Sequence, residues 1–290
     1  MIVATTIEQL RDALAAGKKA ATGRGGKGEV GLVPTMGYLH EGHASLLQRA
    51  RLENDVVALS IFVNPLQFGP NEDFARYPRD AERDLAIARK EGTDVVFMPD
   101  VTVMYPRPSQ TTVSVSGLTE SLCGASRPGH FDGVATVVSK LFHLFDPDRA
   151  YFGMKDAQQV AVVRQMTDDL NFRVRIVPCP TLREPDGLAM SSRNVYLSPE
   201  EREQALVLSR ALGRVDGWLA EPGITGARLR ERIVDTIGTA PLAVVDYVEA
   251  VTYPGLLPAG DWQPGDGTPL LLALAVKFGR TRLIDNKLIE

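Results

Sequence analysis

The chain is poor in several residue types, and each shortage excludes something. It has only two cysteines, Cys123 and Cys179, in 290 residues. Two thiols so widely separated make no disulfide framework, so they are expected as buried free thiols in a cytoplasmic protein. Long apolar runs are missing. None reaches the roughly 18 residues that signal a membrane-spanning helix. The opening MIVATTIEQLRDALAAGKK scatters charge through an amphipathic pattern and lacks the unbroken apolar centre of a signal peptide. There is no basic excess either. Lys and Arg total 32 against 36 Asp and Glu, a formal net charge of -4. That argues against a non-specific grip on nucleic acid and leaves room for a local pocket that takes a small anion. Histidine is scarce, with four in the chain.

What is present is apolar enough, at 44%, to fill one large core or two ordinary ones. Residues 6–16 put Ile7, Leu10 and Leu14 on one helical face. Short apolar runs at 29–34, 55–63, 94–99, 148–153 and 172–180 read as strands buried on both faces. Helical patterns at 43–54, 80–92, 132–147 and 156–170 separate them. This alternation predicts an α/β, Rossmann-like, doubly wound parallel sheet, with ligands at the carboxyl ends of the strands. The order then changes. A helix over 198–219, capped by Ser198 with Pro199 behind it, is followed by a helix at 226–238 and two or three strands. The expected division is residues 1–185 as the nucleotide-binding domain and 186–290 as a smaller α+β domain, which could close as a lid. A glycine-rich stretch at 22–28 resembles a phosphate loop on the surface. No Ser or Thr follows its lysine as a Walker motif requires, so a flexible surface loop is expected there.

Two of the four histidines fall in one stretch, LVPTMGYLHEGHASLL. His40 and His43 stand where a strand turns into a helix. Free backbone N–H groups at a helix start make an anion site. Imidazoles there can donate to phosphate oxygens and stabilise charge as a phosphoryl bond breaks. A zinc-protease helix spaces its histidines four apart with a glutamate between them. Here the spacing is three and Gly42 intervenes, so that reading is set aside.

The stretch PTMGYLHEGHASLL resembles the signature of the HIGH-type nucleotidyltransferases, relatives of the class I aminoacyl-tRNA synthetases. More narrowly it resembles the pantothenate synthetase (pantoate–β-alanine ligase) family. SIFVNPLQF, YPR, RPGHFDGVATVV, YFGMKDAQQ, DGLAMSSRN and TRLIDN follow in that family's order, so the resemblance spans nearly the whole chain. It implies ATP-dependent joining of pantoate to β-alanine through a pantoyl adenylate, with pyrophosphate and AMP released. By that resemblance the ATP contacts are Met36, Gly37, Tyr38, Leu39, His40, Glu41, Gly42, His43, Gly153, Met154, Lys155, Asp156, Leu182, Met190, Ser191, Ser192 and Arg193. Among these, His43, His40, Lys155, Ser191, Ser192 and Arg193 are the expected catalytic groups, with Ser191–Arg193 as counterpart of the synthetases' lysine-rich loop. Gln67 and Gln159 are expected to bind pantoate, with Asn64 assisting, and Gln67 to meet β-alanine. Nucleotide chemistry of this kind uses Mg²⁺. The family often has an acidic pair where this chain has Arg83 and Asp84, so Asp84 is the one expected metal ligand and a two-carboxylate site is in doubt. The resemblance also implies a homodimer with small-molecule substrates, and the charge balance and short apolar runs predict neither nucleic acid nor membrane as partner. Two other readings remain open: an adenylyltransferase that uses a phosphate acceptor, and a binding protein without catalysis.

Overall fold

The run VVALSI is buried at all six positions, which suits a strand covered on both faces and not one half-exposed to water. It forms the third strand of the chain in a computed structural model that describes residues 1–70 and 72–290. In chain order the elements are β1 (Ile2–Ala4), α1 (Ile7–Thr22), β2 (Val30–Thr35), α2 (Glu41–Glu53), β3 (Val56–Ile61), α3 (Ala81–Lys90), β4 (Val95–Phe97), α4 (Val101–Met104), α5 (Leu122–Ser126), α6 (His130–Phe145), β5 (Arg149–Gly153), α7 (Ala157–Asp169) and β6 (Arg175–Cys179). Then come α8 (Pro199–Gly213), α9 (Val215–Leu219), α10 (Gly226–Ile237), β7 (Ala243–Thr252), β8 (Leu270–Phe278) and β9 (Thr281–Ile289).

The chain forms two compact units. The first comprises Met1–Val115, Arg127–Met154 and Val162–Pro180, and the second Ser116–Ser126, Lys155–Ala161 and Thr181–Glu290. Where one boundary after residue 185 was expected, the main division falls after Pro180, and two earlier segments belong to the second unit.

The first unit holds a six-stranded sheet in the order β1-β4-β3-β2-β5-β6, and the paired strands are parallel. From β2 the chain winds outward through β3 and β4, then returns to add β5 on the other side of β2. That reversal makes a crevice beyond the carboxyl ends of β2 and β5, where such sheets bind ligands. Pro34 can sit in central β2 because β5 pairs only with Gly31 and Leu32, so its missing N–H breaks no ladder on that side. Gly31 is required by close approach, since a Cβ there would collide with the Asn54 amide. β1 went unseen in the sequence because it is three residues long with two of them exposed, and so carries no burial pattern. The glycine-rich loop is tied at its end. Gly28 and Glu29 N–H donate to Asp55 Oδ2 at 2.8 and 3.2 Å, and these bonds hold the Asp55 carboxyl below its usual range against a smaller opposing effect of burial.

The second unit is built on the antiparallel sheet β7-β8-β9. Leu272, Leu274 and Val276 of β8 share a core with Leu208 and Leu212 of α8 and Leu229 and Ile233 of α10. The expected long helix at 198–219 is broken. It ends at Gly213 and restarts at Val215, at the residue with the weakest preference for helix after proline.

Candidate active site

Beyond Thr35 the chain makes two consecutive left-handed residues, Gly37 at φ 85° and Tyr38 at φ 52°. Such a turn needs glycine at one position and strains a tyrosine at the other. Asp84, from the first turn of α3, holds it. Tyr38 N–H donates to Asp84 Oδ2 at 2.9 Å and Leu39 N–H to Oδ1 at 2.6 Å. A Cβ on Gly37 would lie 2.9 Å from the same Oδ2. Arg83 adds a second clamp, its guanidinium 5.0 Å from the centre of the Tyr38 ring, in cation–π range. Asp84 is 2% exposed. Burial pushes its carboxyl above the usual carboxylate range, against the two N–H donors that favour the charged form.

The Asp84 carboxylate, expected from the resemblance to meet Mg²⁺, is engaged in this structure by the turn. Both oxygens face backbone donors, and its neighbour is a cation. Among the described residues no cluster of three or more His, Cys, Asp or Glu is arranged to hold a metal ion. Asp84 serves here as the anchor of the turn that delivers the histidines.

That turn ends in a helix cap made of imidazoles. His40 is the N-cap of α2, and Gly42 N–H donates to its Nδ1 at 3.1 Å. His43, three residues on, accepts from His40 N–H at its own Nδ1 at 3.3 Å. This is the reciprocal logic of a capping box with two histidines in place of Ser and Glu. The spacing of three is thereby explained. Because each Nδ1 is an acceptor, the neutral ring carries its proton on Nε2. The ring centres are 4.1 Å apart. The result is two Nε2–H donors beside the positive end of a 13-residue helix.

After β3, Asn64 caps the short turn Pro65–Gln67. Its amide is saturated. Nδ2 donates to Gln67 Oε1 at 3.2 Å and Gly133 O at 3.0 Å, while Oδ1 accepts from Tyr105 Oη at 2.9 Å and Leu66 N–H at 3.3 Å. Both donors and both acceptor positions are used, and one of these bonds orients Gln67. Burial pushes the Tyr105 hydroxyl up to about 12, which keeps it a donor. Gln67 Nε2 reaches Met36 Sδ at 3.2 Å. Helix α6 packs against this turn so closely that a Cβ on Gly133 would collide with Leu66 O.

Arg127 and His130 were not singled out by role, although the RPGHF block contains them. Arg127 grips Glu72 at 2.6 and 2.7 Å and lies 3.0 Å from His130 Nε2. His130 Nδ1 and Arg127 Nη2 both meet Gln67 O, at 2.8 and 3.3 Å. With Arg127 donating to Nε2, His130 keeps its proton on Nδ1 and donates it to Gln67 O. Burial pushes the Glu72 carboxyl up, but the Arg127 guanidinium outweighs it and holds the group below its usual range.

Of the other expected residues, Gly153 and Met154 belong to the first unit and Lys155, Asp156, Gln159, Leu182 and Met190–Arg193 to the second. Lys155 lies in the turn Met154–Asp156, its ammonium 3.5 Å from Asp156 Oδ2. The two glutamines that follow divide their work. Gln158 is buried and fastens the 118–123 segment, accepting from Cys123 N–H at 2.9 Å and donating to Leu118 O and Ser121 O at 2.8 Å each. Gln159 is half-buried. Residues 182–190 fold back on themselves, with Met190 N–H donating to Leu182 O at 3.0 Å and a bridge between Arg183 and Ala189. Ser191 then caps the short turn Ser192–Tyr196, accepting from Arg193 N–H at 3.3 Å. Leu182 is exposed, and Ser192 is buried. His40, His43, Met36, Asn64 and Gln67 thus share the first unit, and Lys155, Gln159 and Ser191–Arg193 the second.

The model of the family described as Pantoate-beta-alanine ligase matches residues 2–288. The chain belongs to that family. Pantothenate synthetase of Caldicellulosiruptor saccharolyticus is 51% identical over 290 residues, covering 100% of both chains. That of Acetivibrio thermocellus is 56% identical over 261 residues, 90% of this chain and 92% of the relative. Among solved structures, pantothenate synthetase from Thermus thermophilus aligns with a TM-score of 0.88 at 48% identity over 99% of both chains. A Francisella tularensis pantoate–β-alanine ligase, crystallised with a β,γ-ATP compound and β-alanine, aligns with a TM-score of 0.79 at 34% identity, over 99% of this chain and 97% of that one. The chain is accordingly a ligase of the pantoate–β-alanine type, with the α/β sheet and the small antiparallel C-terminal sheet described above. No helix among its described residues is long and apolar enough to cross a membrane.

Proposed function

We propose that the chain joins pantoate to β-alanine with ATP as the energy source, through a pantoyl adenylate. The observation that carries this is the imidazole cap of α2, with two Nε2–H donors beside a helix start. Helix starts of this kind favour phosphate oxygens, and donors fixed in advance stabilise charge as it develops. In the first step a pantoate carboxylate oxygen attacks the α-phosphorus. The bond from that phosphorus to the pyrophosphate oxygen breaks, and His43 and His40 donate toward the charge growing on the leaving group. Lys155, Ser191, Ser192 and Arg193 add positive charge and hydroxyl donors to the phosphates. Arginine suits this because its fork matches phosphate oxygens.

In the second step the free amine of β-alanine attacks the acyl carbon. The bond to the AMP oxygen breaks, the amine proton passes to solvent, and pantothenate and AMP leave. Gln67 and Gln159 are the groups for pantoate. Neutral amides pair with its hydroxyls, and a site built for hydroxyls rejects analogues that lack them. Gln67 also meets β-alanine. Mg²⁺ would serve as counterion to the ATP phosphates, with Asp84, each of whose oxygens accepts one backbone N–H, as the carboxylate expected to meet it. The family resemblance adds a cytoplasmic homodimer, which sedimentation of the purified protein tests.

The decisive experiment is exchange of labelled pyrophosphate into ATP without β-alanine. Exchange that requires pantoate, with AMP and pantothenate appearing only when β-alanine is added, supports the two steps. Protein that binds ATP without exchange sinks the adenylate route. Exchange driven by a phosphorylated acceptor in place of pantoate reassigns the acceptor.

A further inference from the structure

Lys155 and Ser191–Arg193 sit in short turns, not in long helices or strands, yet a group that stabilises a transition state must be held to within a fraction of an ångström. One dipeptide of β9, Asp285–Asn286, reaches both segments. Asn286 Nδ2 donates to Lys155 O at 2.9 Å. Asp285 takes the guanidinium of Arg183 in a two-pronged contact, Nη1 to Oδ2 at 2.6 Å and Nη2 to Oδ1 at 3.0 Å. Arg183 Nη1 also donates to Gly187 O at 3.2 Å, closing the 182–190 fold-back that leads into Ser191. Asn286 N–H donates to Asp285 Oδ1 at 2.8 Å, so the two residues are themselves linked. Successive residues of a strand face opposite ways, which is how neighbours in sequence reach different partners. Asp285 is 2% exposed. A carboxylate buried to that degree is retained at a cost unless it is fully paired, and here its partners all belong to one arrangement. β9 is also anchored along its whole length by pairing with β8, with Asp285 opposite Leu274 and Asn286 opposite Ala273.

We propose that Asp285 and Asn286 are positioning residues for adenylation, a strand-borne tie that sets Lys155 and the Ser191–Arg193 turn in one fixed relation. Neither touches substrate. Asn286 acts through the Lys155 backbone and Asp285 through Arg183. The inference rests on the reading of Lys155 and Arg193 as phosphate-binding groups given above.

The test uses the whole chain and reads pantoate-dependent pyrophosphate exchange together with thermal melting. Asn286→Ala is expected to lower exchange kcat roughly 10- to 100-fold, with the KM for ATP nearly unchanged and the melting temperature within a few degrees of the parent. Combined with Lys155→Ala it should cost little beyond Lys155→Ala alone, because residues acting through one another are not additive. Arg183→Lys keeps the charge against Asp285 but gives up the two-pronged contact. It should behave the same way against Arg193→Ala, and it carries the test if Asn286→Ala does not fold. Parental kcat in both variants, or losses that add in full to those of Lys155→Ala and Arg193→Ala, would overturn the tie. Lys155→Ala and Arg193→Ala that both exchange at the parental rate would instead overturn the site reading on which it rests.

Discussion

The two units hold their charged and donor groups by different means. In the first, His40 and His43 are fixed by neutral hydrogen bonds within four consecutive residues, and one buried carboxylate anchors the turn before them. In the second, the Ser191 turn is fixed by ion pairs to distant parts of the chain. Arg183 meets Asp285 across 102 residues, and Arg202 meets Glu184 and Asp186 at 2.6 Å each. A local cap forms whenever its helix forms. A long-range ion pair forms only when the whole unit is assembled, and where exposed it is screened by salt. The first arrangement should therefore tolerate added salt better than the second.

Breaking the local cap is expected to have the largest effect. His43→Ala removes one transition-state donor and the bond to His40 N–H. It should slow pyrophosphate exchange roughly 10²- to 10³-fold while ATP binding weakens far less. Unchanged turnover in that variant would remove the imidazoles from the chemistry. Next comes the anchor. Asp84→Asn replaces one acceptor by an amide group that faces a backbone N–H. The cost should be about 1–3 kcal/mol of stability, read by denaturant unfolding, with a slower exchange rate. A shift in the Mg²⁺ requirement would show that Asp84 also meets the metal. The smallest effect belongs to the second unit. Arg202→Met should cost no more than about 1 kcal/mol, since its pairs are a third exposed. Burial pushes Asp186 up, but the Leu188 N–H and Arg202 hold it below its usual range. A depressed carboxyl adds stability above its unfolded value and loses it as pH falls through the folded value. The melting difference between Arg202→Met and parent should therefore shrink on acidification below the ordinary aspartate range, and also with added salt. A difference that grows toward low pH would contradict the assignment.

The same contrast governs what could be read in advance. The alternation of buried strands and helices was legible because both faces of a parallel sheet are covered, so each strand shows as an apolar run. β1 was not, being short and half-exposed. The break in the 198–219 helix was missed because one glycine is a weak stop. In the site, the histidine pair was legible as a motif, but the reason for its spacing was not. It emerges only when each Nδ1 is seen accepting a backbone N–H. Asn64 read as assisting at the pantoate site by its motif, and its bonds to Gln67, Gly133, Leu66 and Tyr105 emerge only in the structure. Arg127 and His130 carried no signal of their own beyond lying in a matched block.

By itself the sequence determined the sheet class, the family and the chemical types available at the helix start, because periodicity and short motifs are local properties of a chain. Only the tertiary structure decided which of those groups are occupied. Asp84 holds the turn before the histidines, Gln158 fastens a segment beside the half-buried Gln159, and Asp285 and Asn286 bond to Arg183 and Lys155. A hydrogen-bonding group has few positions to fill, and partners separated by tens of residues are chosen by packing, which no local pattern records.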